Sequence, residues 1–137
     1  MFNPAMDPIE HARRAYDAGY LVEALQVLHG FIELQTRELI MSNRAKEGPH
    51  EEFDLAYESM FEIPFNIAIK VLFIQRVLTK AERDRLISFN SIRNKLIHRL
   101  YTDESIRSEQ SEYDAGFGAG IELIEMLLTK MHRQGAV

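Results

Sequence analysis

The chain has 137 residues, a net charge of −5 and no cysteine. That length suits one domain, residues 1–137, large enough to bury a core without staples, and the lack of thiols excludes disulfides and thiolate metal sites. The acidic balance argues against a general nucleic-acid coat.

Strand signals are nearly absent. No long apolar/polar alternation and no Asn-Gly or Asp-Gly turn occurs, whereas helical periodicity runs throughout. The N-terminus has neither a basic cluster nor an apolar run, so no signal peptide is expected. Asp7-Pro8-Ile9-Glu10 opens a first helix: Asp7 can cap, Pro8 suits the first turn, and Glu10 falls three residues after the cap. Gly19 is the expected stop. A second helix is predicted from Tyr20 to Asn43, with Leu21, Ala24, Leu25, Leu28, Phe31, Ile32 and Leu39 on one stripe and Gln35 as its polar member. Within it, His29 and Glu33 are one turn apart and could share a metal, but no matching second pair exists, so no metal site is expected. Residues 44–52 read as an exposed turn and Phe53 to Met60 as a short helix.

Pro64 starts a third main helix. Its segment Phe65-Asn66-Ile67-Ala68-Ile69-Lys70-Val71-Leu72-Phe73-Ile74 is apolar on most sides, which suits a central position or a subunit contact. It is too short and too interrupted by polar residues to span a bilayer. Thr79-Lys80-Ala81-Glu82 is a capping box and begins a fourth main helix bearing Leu86, Ile87, Phe89, Ile92, Leu96 and Ile97. A polar link, Thr102 to about Glu112, leads to a last helix from about Tyr113 to His132. Gly116-Phe117-Gly118-Ala119-Gly120 lacks the spacing and preceding strand of a phosphate loop and reads instead as a small-residue face for close packing. These elements predict an all-α, up-and-down antiparallel bundle of four to five main helices.

The fourth helix carries the densest chemistry. Between Arg76 and Arg99 stand seven basic residues (Arg76, Lys80, Arg83, Arg85, Arg93, Lys95, Arg99) against Glu82 and Asp84, a window of +5 in a chain of −5. Such a strip either attracts phosphates or is an ordinary solvated face. Its C-terminal part reads Ser91-Ile92-Arg93-Asn94-Lys95-Leu96-Ile97-His98. Arginine presents a permanent planar fork of donors suited to phosphate, and histidine titrates near neutral pH. Asn94 and His98, four apart, share a helix face, and Arg93 projects about 100° away from Asn94. A purely structural alternative has Arg93 paired with a surface acid and His98 complementing the negative helix end.

The element Arg93–Asn94–x3–His98 resembles the Arg-x4-His motif of the HEPN superfamily, with a hydrophobic residue before the arginine, a polar one after it, and histidine closing the helix. HEPN proteins are small and all-helical, and many are metal-independent ribonucleases. The resemblance implies a homodimer that binds RNA and cleaves it without a cofactor, and the absence of cysteine fits a reducing cytoplasm. It casts Arg93, Asn94 and His98 as catalytic residues, with Lys95, Arg99 and Tyr101 as RNA contacts. One HEPN subgroup, paired with nucleotidyltransferase antitoxins, carries Arg-x4-His-x-Tyr. Here Tyr101 comes one position late, so an antitoxin partner and modification of Tyr101 are weaker implications. Other HEPN-like bundles, including relatives of the mannitol operon repressor, imply the alternative of a non-catalytic regulatory or protein-interaction module.

Overall fold

A computed structural model describes residues 6–46, 52–100 and 109–134. Among them the chain is an all-α bundle of six helices with no strand. The order is α1 (Pro8–Asp17), α2 (Leu21–Ala45), α3 (Phe53–Met60), α4 (Phe65–Ile74), α5 (Lys80–Arg99) and α6 (Gln110–Arg133). No described helix is long and apolar enough to cross a membrane.

The helix starts follow local chemistry. Asp7 Oδ1 accepts from the backbone N–H groups of Ile9 and Glu10 at 2.9 and 3.3 Å, satisfying two donors that the first turn leaves open. Gly19 adopts φ +88 after α1, a conformation a β-carbon disfavours. The box at α5 is reciprocal: Glu82 N–H donates to Thr79 Oγ1 at 3.2 Å, and Thr79 N–H donates to the Glu82 carboxylate at 2.8 Å. The last helix begins at Gln110, earlier than its apolar stripe indicates, because Glu109 and Glu112 form a second such box.

Helix α2 is the hub. It packs against each of the other five helices, and the core runs through Leu25, Leu28, Ile32 and Leu39 of α2, Ile69 and Leu72 of α4, Leu86, Phe89 and Leu96 of α5, and Leu123, Ile124 and Leu127 of α6, all buried. Gly120 permits the closest approach: a β-carbon there would lie 2.9 Å from Leu28 Cδ1 and 3.2 Å from the Phe89 ring. A β-carbon on Gly116, one turn earlier, would make ordinary contacts, and one on Gly118 would meet nothing within 4 Å. The packing face is thus Gly116 and Gly120 alone. Gln35 is 2% exposed, and neither polar side-chain atom has a hydrogen-bond partner among the described residues.

Helix α4 departs from a central position. Phe65, Ala68, Ile69 and Leu72 are buried, but Ile67, Phe73 and Ile74 face outward, Ile74 at 78% exposure. A ten-residue helix packed on α2 and α5 covers only one side, and its remaining apolar surface stays uncovered in the single chain.

Candidate functional site at the C-terminal half of helix α5

The anchoring of α5 decides where its polar groups point. Leu86, Phe89 and Leu96 bury one stripe against α2, α4 and α6. Asn94, Lys95 and His98 are exposed, and Arg93 is half-buried beside α2.

Arg93 is fixed by carboxamides. Its Nε and one terminal nitrogen donate to Gln26 Oε1 of α2 at 3.0 and 2.7 Å, and the other terminal nitrogen donates to Asn94 Oδ1 at 2.9 Å. Neutral acceptors hold the fork in one orientation without cancelling its charge. No carboxylate pairs with Arg93 among the described residues. His98 closes α5 in its last turn, exposed and without a hydrogen bond or ion pair among the described residues. Arg93 and His98 are five residues apart, so their side chains leave the helix about 140° apart. Through Asn94 Oδ1 the guanidinium is tied to the residue one turn before His98.

Lys95 and Arg99 are placed differently. Both approach Glu112 of α6, at 3.7 and 3.3 Å. Their charges are shared with that carboxylate rather than presented freely to a ligand. Tyr101 lies outside the described residues.

The same distribution governs the whole basic window. Lys80 and Arg83 contact Asp84 at 2.7 Å, and Arg85 lies 3.7 Å from Glu122. Arg83 also stacks its guanidinium 5.6 Å from the Phe73 ring. Acids on α5 and α6 therefore meet five of the seven cations. Among the described residues, Arg76 and Arg93 are the two of the seven with no carboxylate partner.

Behind Arg93 is a buried polar cluster that periodicity alone does not reveal. His29 of α2 is 4% exposed. Its Nδ1 is 2.9 Å from Glu33 Oε1, and its Nε2 is 2.9 Å from the Asn90 carboxamide of α5. Glu33 continues to Arg37 at 3.5 Å, whose Nε donates to the Ile63 carbonyl at 3.1 Å. Phe65 meets the imidazole edge-on at 5.3 Å and Phe89 stacks at 6.0 Å. Burial pushes the His29 pKa below its ordinary 6.5, and the Arg93 charge adds to this; the Asn90 bond and the Glu33 carboxylate oppose them without prevailing. The ring is therefore neutral near pH 7. Both neighbours present oxygens, Glu33 Oε1 at Nδ1 and Asn90 Oδ1 at Nε2, and a neutral ring carries one N–H, so it donates to one of the two at a time.

His29 and Glu33 are thus spent on each other and on Asn90 and Arg37. Among the described residues no group of three metal-ligating side chains forms. Gln26 and Asn90 are candidate-site residues that the sequence did not single out. Their signal is present: Gln26, His29, Glu33 and Arg37 make a polar stripe at helical spacing on α2, and Asn90 precedes Asn94 by one turn on α5.

Comparison of the chain with protein-family models, with curated proteins and with solved structures returns no match.

Proposed function

We propose that this chain is an RNA-binding helical bundle of the HEPN kind that cleaves RNA without a metal, acting as a homodimer. The observation that supports it best is the state of Arg93: a guanidinium locked by Gln26 and Asn94, uncompensated by any described carboxylate, on the helix that ends in an exposed His98. In the reaction, the ribose 2′-oxygen attacks the adjacent phosphorus as its proton passes to a base. The bond to the 5′-oxygen breaks, and that oxygen takes a proton. The products are a 2′,3′-cyclic phosphate and a 5′-hydroxyl. His98 transfers the proton, Arg93 stabilises charge building on the phosphoryl oxygens, and Asn94 orients Arg93. The 140° divergence of Arg93 and His98 on one helix favours a dimer, in which one copy's arginine works with the other copy's histidine.

The test is incubation with labelled RNA in EDTA and analysis of the product ends. Cyclic phosphate ends are expected from the native protein and none from Arg93→Ala or His98→Ala. Retained cleavage in both folded variants refutes the assignment. Sedimentation should give twice the 15.9 kDa chain mass.

One observation favours a second reading. Glu112 engages Lys95 and Arg99, so the cationic surface beside the motif is narrow. A non-catalytic regulatory or protein-interaction module fits that surface, and RNA binding without any cleavage is its signature.

A further inference from the structure

The other unmatched cation of the basic window, Arg76, stands at the opposite end of the bundle. Gln26 and Asn43 are 17 residues apart on α2, so the two regions are separated by about 25 Å of helix. Here α2, α4 and α6 all terminate, and residues at and near their ends line an open pocket of about 240 Å³.

The backbone at Arg76 is unusual. Its φ is +61, the left-handed region, and among the described residues it is the one non-glycine there. Arg76 N–H donates to the Phe73 carbonyl at 3.0 Å and Val77 N–H to the Leu72 carbonyl at 2.9 Å. That pair of bonds is the Schellman ending of α4, and Arg76 occupies its glycine position. An arginine here strains the backbone. Strain of this kind collects where the side chain is used.

The pocket walls share the same character. Lys46, Arg76, Lys130 and Arg133 line the pocket, and no acidic residue does. Lys130 is matched by Glu82 at 2.8 Å. Lys46, Arg76 and Arg133 have no carboxylate partner among the described residues. The three helix ends contribute roughly half a negative charge each, which offsets part of this excess but not all of it. Asn43 Nδ2 donates to Gln75 Oε1 at 3.1 Å, which ties α2 to the residue before Arg76. Gln134, also in the wall, keeps a buried Oε1 with no partner among the described residues; as an acceptor it can pair only with a protonated oxygen of a bound phosphate.

We infer that this pocket binds a single phosphoryl oxyanion through Arg76, Lys46 and Arg133. Its volume falls below the range of about 300–1,000 Å³ typical of drug-sized ligands, so the ligand is a phosphate ion or a terminal phosphate monoester rather than a whole nucleotide. The inference does not depend on cleavage by Arg93 and His98.

Arg76→Gly separates binding from folding, because glycine relieves the strain as it removes the charge. Thermal unfolding is followed in inorganic phosphate and in chloride at matched ionic strength. The native protein should gain about 3 °C or more once phosphate stands tenfold above its Kd. Arg76→Gly should melt higher than native in chloride yet gain nothing from phosphate, and Arg133→Gln should also lose the increment. A native protein indifferent to phosphate, or an Arg76→Gly protein that keeps the increment, overturns the proposal. A fall in melting temperature for Arg76→Gly in chloride overturns the strain argument behind it. Competition by a 5′-phosphorylated oligoribonucleotide, but not its 5′-hydroxyl counterpart, assigns the oxyanion to an RNA end. Competition by neither assigns it to free phosphate.

Discussion

Gln26→Glu tests whether the charge of Arg93, rather than its position, matters. Gln26 accepts two hydrogen bonds from Arg93 at 3.0 and 2.7 Å, and glutamate can accept the same two. The anchor therefore survives, but a negative charge now lies against the guanidinium. A unit charge about 4 Å from a phosphoryl oxygen contributes ~1 kcal/mol in water and ~4 kcal/mol in a partly shielded site. Gln26 is exposed and Arg93 half-buried, so the lower part of that range applies, about 1–2 kcal/mol. Cancelling it should weaken RNA binding by roughly 5- to 30-fold. The slope of log affinity against log salt should also flatten by about 0.7, the value for one phosphate contact on a single strand. Gln26→Met provides the contrast: it keeps the charge and loses the anchor, so its salt slope should stay native. Fluorescence anisotropy with a labelled single-stranded RNA across a salt series reads both quantities. If Gln26→Glu binds with native affinity and native slope, Arg93 does not meet a phosphate, and the proposed site is wrong.

Two further outcomes follow from buried polar groups. Gln35 is enclosed with neither amide atom paired among the described residues, so Gln35→Leu should stabilise the fold by about 1–3 kcal/mol in urea or thermal unfolding; destabilisation would mean that a water or other partner satisfies the amide. His29 has a depressed pKa when folded, so below its ordinary value of 6.5 the unfolded chain binds the extra proton first, and stability rises with pH. Stability should fall as pH drops from 6.5 through the folded-state pKa, and His29→Gln should flatten that limb; superimposable curves for the two proteins between about pH 5 and 7 would remove His29 as the cause. Glu82 acts in a lower window. Burial raises its pKa, but the bonds from Lys130 and Thr79 outweigh this and hold it below its ordinary 4.5, so its contribution is lost only under more acid conditions.

The fold was legible because several of the helices carry their own punctuation. Asp7, Pro64 and the Thr79–Glu82 box act within four residues of their positions, and such short-range chemistry survives any tertiary arrangement. The place of α4 was not legible for the opposite reason. A sequence apolar on most sides shows that surface must be covered, not what covers it, and in the single chain Ile67, Phe73 and Ile74 remain outside. Gln35 broke an otherwise regular stripe, and it is buried there without a partner among the described residues, a cost that periodicity registers only as an irregularity.

The site was half legible for a related reason. Arg93, Asn94 and His98 are close in sequence, and their order was enough to single them out. The partners that define their state are distant: Gln26 is 67 residues from Arg93, and Glu112 is 13 from Arg99. Counting charges along the chain gave a basic strip, but charge acts through space. Once α6 is laid beside α5, Glu112 and Glu122 take up three of the strip's cations, and Asp84 takes two more. What remains is not a strip but two separate points, Arg93 and Arg76, near opposite ends of the bundle. The Arg93 guanidinium is held by two carboxamides, whereas at Arg76 the ending of α4 fixes the backbone and the exposed side chain has no carboxylate partner among the described residues. A cation that is not neutralised can still attract an anion from solution, and within the basic window that condition holds at these two points rather than along the helix as a whole.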